Sequence, residues 1–127
     1  MLEKELVKEL DSYKYDMQYL EEKKQNIENM KLELNMYSND ERMVNKVNRI
    51  LEKIANEERR ILLIEESTKK IEDEIDALNQ PYKTIMYYRY IKGYTFDEIA
   101  LKMNYSTKRI YQLHKEAIRR HLNKYYL

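Results

Sequence analysis

Leu6, Tyr13, Leu20, Ile27 and Leu34 recur every seven residues, with Leu10 and Met17 at the alternate positions of the same heptad and Lys24 and Lys31 at the next two. From Met43 the alternation is more regular. Met43, Val47, Ile50, Ile54, Glu57, Ile61, Ile64, Thr68, Ile71, Ile75 and Leu78 follow one another at steps of three and four, and only Glu57 and Thr68 are not apolar. A stripe this narrow predicts helices that meet along a coiled-coil seam rather than the broad inner face of a globular helix. Tyr37-Ser38-Asn39-Asp40 separates the two runs with residues suited to a turn and an N-cap. The expectation is an antiparallel helical hairpin folding about 37–40, with Leu20 level with Glu57 and Lys24 one turn away and able to pair with it. A parallel homodimer would instead stack Lys24 on Lys24 or Glu57 on Glu57. Val44, Leu51, Ala55 and Leu62 form a second stripe that the hairpin leaves over, so a partner copy or the C-terminal domain is expected to cover it.

The pattern changes after Asn79-Gln80-Pro81, which reads as a helix start with Pro in the first turn. A helix over Tyr82–Lys92 is predicted, ended by Gly93 in a left-handed conformation. Thr95-Phe96-Asp97-Glu98 matches a capping box and begins a short helix to about Lys102, with Ile99 and Ala100 inward. Met103-Asn104-Tyr105 makes a turn, and Ser106 caps a longer helix from Thr107 to about Asn123. On that last helix Ile110, Leu113, Ala117, Ile118 and Leu122 share one side. Lys108, Tyr111, Gln112, Lys115 and Arg119 share the other, which holds no carboxylate. A short helix, a tight turn and a longer helix make a helix-turn-helix pattern.

Composition narrows the class. One Gly, one Pro and no Cys in 127 residues argue for long helices, without disulfides or thiolate metal sites. Charged residues are 37% and no apolar run approaches the ~20 residues of a membrane span, so a soluble, intracellular all-α protein is expected. The N-terminus is too charged for a signal peptide. Residues 1–80 carry 14 Lys/Arg against 20 Asp/Glu, a net of −6, whereas residues 81–127 carry 10 against 3, a net of +7. The expected domains are therefore 1–80, the hairpin, and 81–127, a basic domain that meets a polyanion.

Catalytic and metal sites are not expected: no nucleophile-base set or phosphate loop can be assembled, and no cofactor is implied. His114 and His121 are seven apart on the inward side of the last helix and read as core or flank histidines. The tyrosines of PYKTIMYYRYIKGY, with Ile85, read as the small domain's core, hydroxyls at its rim. Lys83, Arg89 and Lys92 remain free to touch phosphates.

The residues T95-F-D-E98-I99-A100-x-x-M103-x-Y-S106-T-K-R109-I110-Y-Q112-L113-x-x-x-A117-I118-x-x-x-L122 resemble the helix-turn-helix of sigma-factor region four. The whole layout is similar to the ArpU/RinA-type regulators of bacteriophage and prophage late genes. The resemblance implies a sequence-specific regulator of transcription bound to double-stranded DNA, with Thr107, Lys108, Tyr111 and Gln112 where the family's major-groove residues fall and Arg109 at the flank. Combined with the helix projection, Lys108, Tyr111, Gln112 and Lys115 are expected at base edges, and Thr107, Arg109, Arg119 and Arg120 at phosphates. Sigma factors usually have a basic residue at the positions of Thr107 and Tyr111 and an acid at Lys108; Lys here favours a guanine edge or a phosphate. The heptads of 1–80 leave no room for a promoter-melting domain, so the chain is not expected to act as a complete sigma factor. The hairpin is expected to serve in a homodimer or higher oligomer, or in contact with RNA polymerase. Two other readings stay open: a small terminase-like DNA-packaging subunit, and a mimic of the sigma domain that occupies RNA polymerase. A truncation lacking 1–78 is expected to leave a folded, weakly binding domain.

Overall fold

Two long helices carry the heptads, and three shorter ones carry the basic half. The computed structural model describes residues 1–127, 85% of them helical and none in strands, so the chain is all-α. Helix α1 runs Glu3–Tyr37, a single 3-10 turn Glu41–Met43 follows, and α2 runs Val44–Asp76. Then come α3, Tyr82–Met86, continuing as a π-helical turn Tyr87–Ile91; α4, Phe96–Met103; and α5, Thr107–Tyr125. The N-terminal region is hairpin-like, and no helix is long and apolar enough to cross a membrane.

The seam of α2 follows its sequence pattern: all eleven positions from Met43 to Leu78 are buried or half-buried. The seam of α1 departs from expectation after Tyr13. Leu20 and Ile27 are buried and Leu34 half-buried, but the positions between them are Asp16, Lys23, Met30 and Tyr37, while Met17, Lys24 and Lys31 are exposed. Lys24 is therefore not a seam residue and does not pair with Glu57. Lys23 lies 3.5 Å from Glu57, which also meets Arg60, and Lys24 meets Glu65 at 2.9 Å. The slide has a local cause. Asp40 accepts a hydrogen bond from the Arg42 backbone and pairs with its guanidinium, which holds the Asp40 carboxyl below the usual range. Residues 41–43 thereby join the turn, so Glu57 comes level with Lys23, one helical turn beyond Leu20.

The contacts divide the chain into two compact units, Asp16–Ser67 and Met1–Tyr15 with Thr68–Leu127. The first is the hairpin around Leu20, Ile27, Ile50, Ile54 and Ile61. Here Val44, Leu51, Ala55 and Leu62 remain exposed. The second unit has two cores. One joins Leu6, Leu10 and Tyr13 to Ile71, Ile75 and Leu78, Met86 and Tyr90, and Ala117, Ile118 and Leu122. The other joins Ile85, Ile99, Ala100, Ile110 and Leu113, flanked by Tyr82, Tyr88, Tyr94, Phe96 and Met103. The charge boundary at Pro81 is thus not a packing boundary. Six apolar residues that precede it complete the core on which α5 rests, because 81–127 alone has too little apolar surface to bury both sides of that helix.

A polar cluster crosses the first of these cores. Glu74 on α2 accepts hydrogen bonds from the Tyr126 hydroxyl at 2.8 Å and from His121 Nε2 at 3.0 Å, and His121 is wholly buried. Lys124 donates to the Ala77 carbonyl at 2.7 Å and so closes the end of α2. The Tyr13 hydroxyl bonds Glu72.

A fragment beginning at Asn79 lacks Leu6, Leu10, Tyr13, Ile71, Ile75 and Leu78, and its thermal melt by circular dichroism is expected to lose cooperativity rather than show a stable small domain. In the full chain, Leu10→Ala is expected to lower stability by about 2–5 kcal/mol in denaturant titration.

Candidate nucleic-acid interface

Local chemistry fixes each end of the helix pair in 94–125. Gly93 adopts φ +75°, a left-handed conformation that ends the π-helical turn, and no neighbour crowds the position. Thr95 then caps α4: its hydroxyl accepts from the Glu98 backbone at 3.1 Å, and its own backbone N–H donates to the Glu98 carboxylate at 3.3 Å. Asn104, at φ 60°, ends α4, and the Asn104 and Tyr105 N–H groups both donate to the Ala100 carbonyl. Ser106 caps α5 by accepting from the Arg109 backbone at 3.1 Å. The Thr107 hydroxyl donates to Asp97 at 2.9 Å, tying the first turn of α5 to the first turn of α4.

Burial then sorts α5 into two sides. Ile110, Leu113, Ala117, Ile118 and Leu122 are buried, with Ala100 small enough for α4 to pack closely on Ile110 and Leu113. Lys108, Tyr111, Gln112, Lys115, Arg119 and Arg120 are exposed. Behind the exposed face lies an aromatic stack. Tyr111 packs on Phe96 at 4.5 Å, His114 meets the edge of Phe96 at 4.9 Å, and the Arg89 guanidinium covers Phe96 at 4.1 Å. Arg89 also donates to the Tyr94 carbonyl. Expected as free for phosphate, Arg89 instead braces the start of α4.

The ten cations of 81–127 differ sharply in commitment. Arg119 and Arg120 both pair with Glu116, at 2.9 and 3.2 Å, and Arg119 also approaches Glu3 at 4.0 Å. The face is free of acid only as far as Lys115, since Glu116 borders its C-terminal end. The spacing i, i+3 and i+4 from Glu116 was the signal for these pairs. Lys83 pairs with Asp76, Lys124 is held by Ala77, and Lys92 and Lys102 lie over the rings of Tyr87 and Tyr94. Arg109 reaches Gln112 at 3.4 Å. Lys108 and Lys115, two turns apart on one face, have no intramolecular partner.

Residues 75–120 match the family model described as Sigma-70, region 4. They form a sigma-region-four-like helix-turn-helix. The matched span opens at Ile75, inside α2, where the packing unit already includes the end of that helix. Residues 1–74 lie outside it. No curated protein and no solved structure matches the chain.

The histidines behind the face are internal. The Tyr90 hydroxyl and His114 Nε2 share a hydrogen bond of 2.7 Å. Burial, reinforced by the Arg89 guanidinium, pushes His114 down from the ordinary 6.5 to about 4. A depressed pKa means the fold favours the neutral ring, so its stabilising share is complete above pH 6.5 and lost as the pH falls toward 4. A loss on the order of 3 kcal/mol is expected over that window, read by denaturant midpoints at pH 7 and pH 4. His114→Gln is expected to remove most of that dependence.

Proposed function

We propose that this chain is a sequence-specific double-stranded DNA-binding regulator of transcription, acting in a bacterial or phage setting as an activator of late genes. In this reading 81–127 reads DNA, and 1–80 serves self-association or contact with RNA polymerase. Helix α5 enters the major groove, where Lys108, Tyr111, Gln112 and Lys115 meet base edges and Thr107, Arg109, Arg119 and Arg120 meet phosphates.

The observation that carries the reading is the pair Lys108 and Lys115. They are the uncommitted cations of the basic half, set on the exposed face of the second helix of a helix-turn-helix. A cation with no internal partner is available to displace counterions from a phosphate or to reach guanine O6 and N7. Tyr111 adds a ring held in place by Phe96, suited to apolar contact with a thymine methyl. Arg119 and Arg120 come to phosphate with their charge already shared with Glu116, so they rank below the two lysines.

Selection of genomic fragments by the purified protein, followed by binding at graded salt, tests the reading. Lys115→Ala is expected to lower the slope of log K against log salt by about 1, and Arg119→Ala by less. Failure to bind any duplex at low salt would reject the function. Gln112→Ala is expected to cost about 1–3 kcal/mol at one base pair of the selected operator and little elsewhere. Uniform loss across operator variants would move Gln112 from readout to positioning.

A further inference from the structure

Four exposed apolar side chains of α2 line up outside any core, with Leu63, 67% exposed, beside their row. Val44, Leu51 and Leu62 are 53%, 47% and 59% exposed, and Ala55 is exposed with them. At 100° per residue all four fall within a span of about 40°, roughly 100° around the helix from Ile50, Ile54 and Ile61. The line is ~27 Å long. Single exposed leucines are ordinary, but an aligned row of this length marks an interaction surface.

The row is symmetric in a way that selects its occupant. Leu51 and Ala55 stand two residues either side of Lys53, and Val44 and Leu62 stand nine either side. Laid antiparallel on a copy of itself, α2 therefore sets each Leu51 against Ala55 and each Val44 against Leu62. The one small residue faces a large one, which allows the two helices to approach closely. The polar positions within the row follow the same symmetry: Asn48 and Glu58 each lie five residues from Lys53 and come level. An amide then meets a carboxylate, with Arg59 next to it. A parallel pair would instead set Glu58 on Glu58, and like charges face to face are costly.

We infer that the exposed row of α2 is the interface of a two-fold homodimer, in which the two α2 helices run antiparallel and cross at the level of Lys53. Such a contact is isologous and closes on itself, so it ends at the dimer. It deepens the self-association assigned to 1–80 above and does not depend on whether α5 reads DNA.

The chain has no cysteine, so introduced thiols report alone. Val44→Cys and Leu62→Cys proteins, oxidised as a mixture, are expected to give a disulfide-linked dimer. Neither variant alone is expected to do so. Cross-linking of Val44→Cys with itself would indicate a parallel pair and overturn the proposal. Sedimentation supplies the second arm: wild type is expected to be a dimer, and the double variant Leu51→Glu, Leu62→Glu a monomer with unchanged helicity by circular dichroism. The dissociation constant should rise at least about 100-fold, as expected from removing four buried leucines across the two copies. A wild-type monomer at about 100 µM, or a double variant that stays dimeric, would also overturn it. Duplex binding by the same samples separates the two ideas. A wild-type dimer that binds no DNA sinks the regulatory function and leaves the interface standing. A DNA-binding monomer does the reverse.

Discussion

The inner side of α5 has to leave water on two fronts at once. Ile110 and Leu113 are covered by α4, but Ala117, Ile118 and Leu122 lie one to three turns further along, beyond the reach of that short helix. Leu6, Leu10 and Tyr13 from α1 and Ile71, Ile75 and Leu78 from α2 cover them instead. Everything distinctive about this unit follows from that arrangement. The buried Glu74–His121–Tyr126 cluster, the Lys124–Ala77 closure and the Arg119–Glu3 approach all join α5 to segments that are remote in sequence. A carboxylate as deeply buried as Glu74 is tolerable only because donors converge on it.

The same constraint shapes the exposed side of α5. With its inner face held by two cores, the helix presents Lys108, Tyr111, Gln112 and Lys115 in a fixed frame. Phe96 sets the angle of that frame, because one ring touches Tyr111, His114 and Arg89. Arg89 acts here as a brace: its charge rests on an aromatic face and its N–H on a carbonyl. Of ten cations in the basic half, eight are spent on internal contacts, so net charge overstates the surface available to a polyanion.

Much of this was legible in order, and the reason is locality. The caps at Thr95 and Ser106, the left-handed Gly93 and the two sides of α5 depend on residues at most a few turns apart, and sequence spacing carries that information directly. The seam of α2 was legible for the same reason. The seam of α1 was not, because Asp16 or Met17, and Lys23 or Lys24, are equally consistent with seven-residue spacing; the turn at 41–43 decides between them, through Asp40 and Arg42. The core that joins Leu6, Leu10 and Tyr13 to α5 could not be read at all. Nothing in the spacing of Leu6, Leu10 and Tyr13 says that they will meet Ile118 and Leu122 rather than continue the hairpin seam. Asp97 and Glu116 are visible as acids, yet the helix projection and the family resemblance direct their partners Thr107, Arg119 and Arg120 to phosphate.

The joining of Met1–Tyr15 to Thr68–Leu127 also has a consequence for how the chain acquires its shape. The hairpin Asp16–Ser67 is a compact unit by itself and can zip from its turn as soon as it leaves the ribosome. Leu6 and Leu10 emerge first but have no complete set of neighbours until Leu122 is made. The cost of closing so long a loop is met in advance if the hairpin forms early, since its zipping carries the two ends of the loop together. The paired ends carrying Leu6, Leu10, Ile71 and Ile75 would then serve as an intramolecular template on which the last helix is laid down. Changes in the hairpin's turn at Asp40 would be felt first as slower maturation of a helix that begins 67 residues further on.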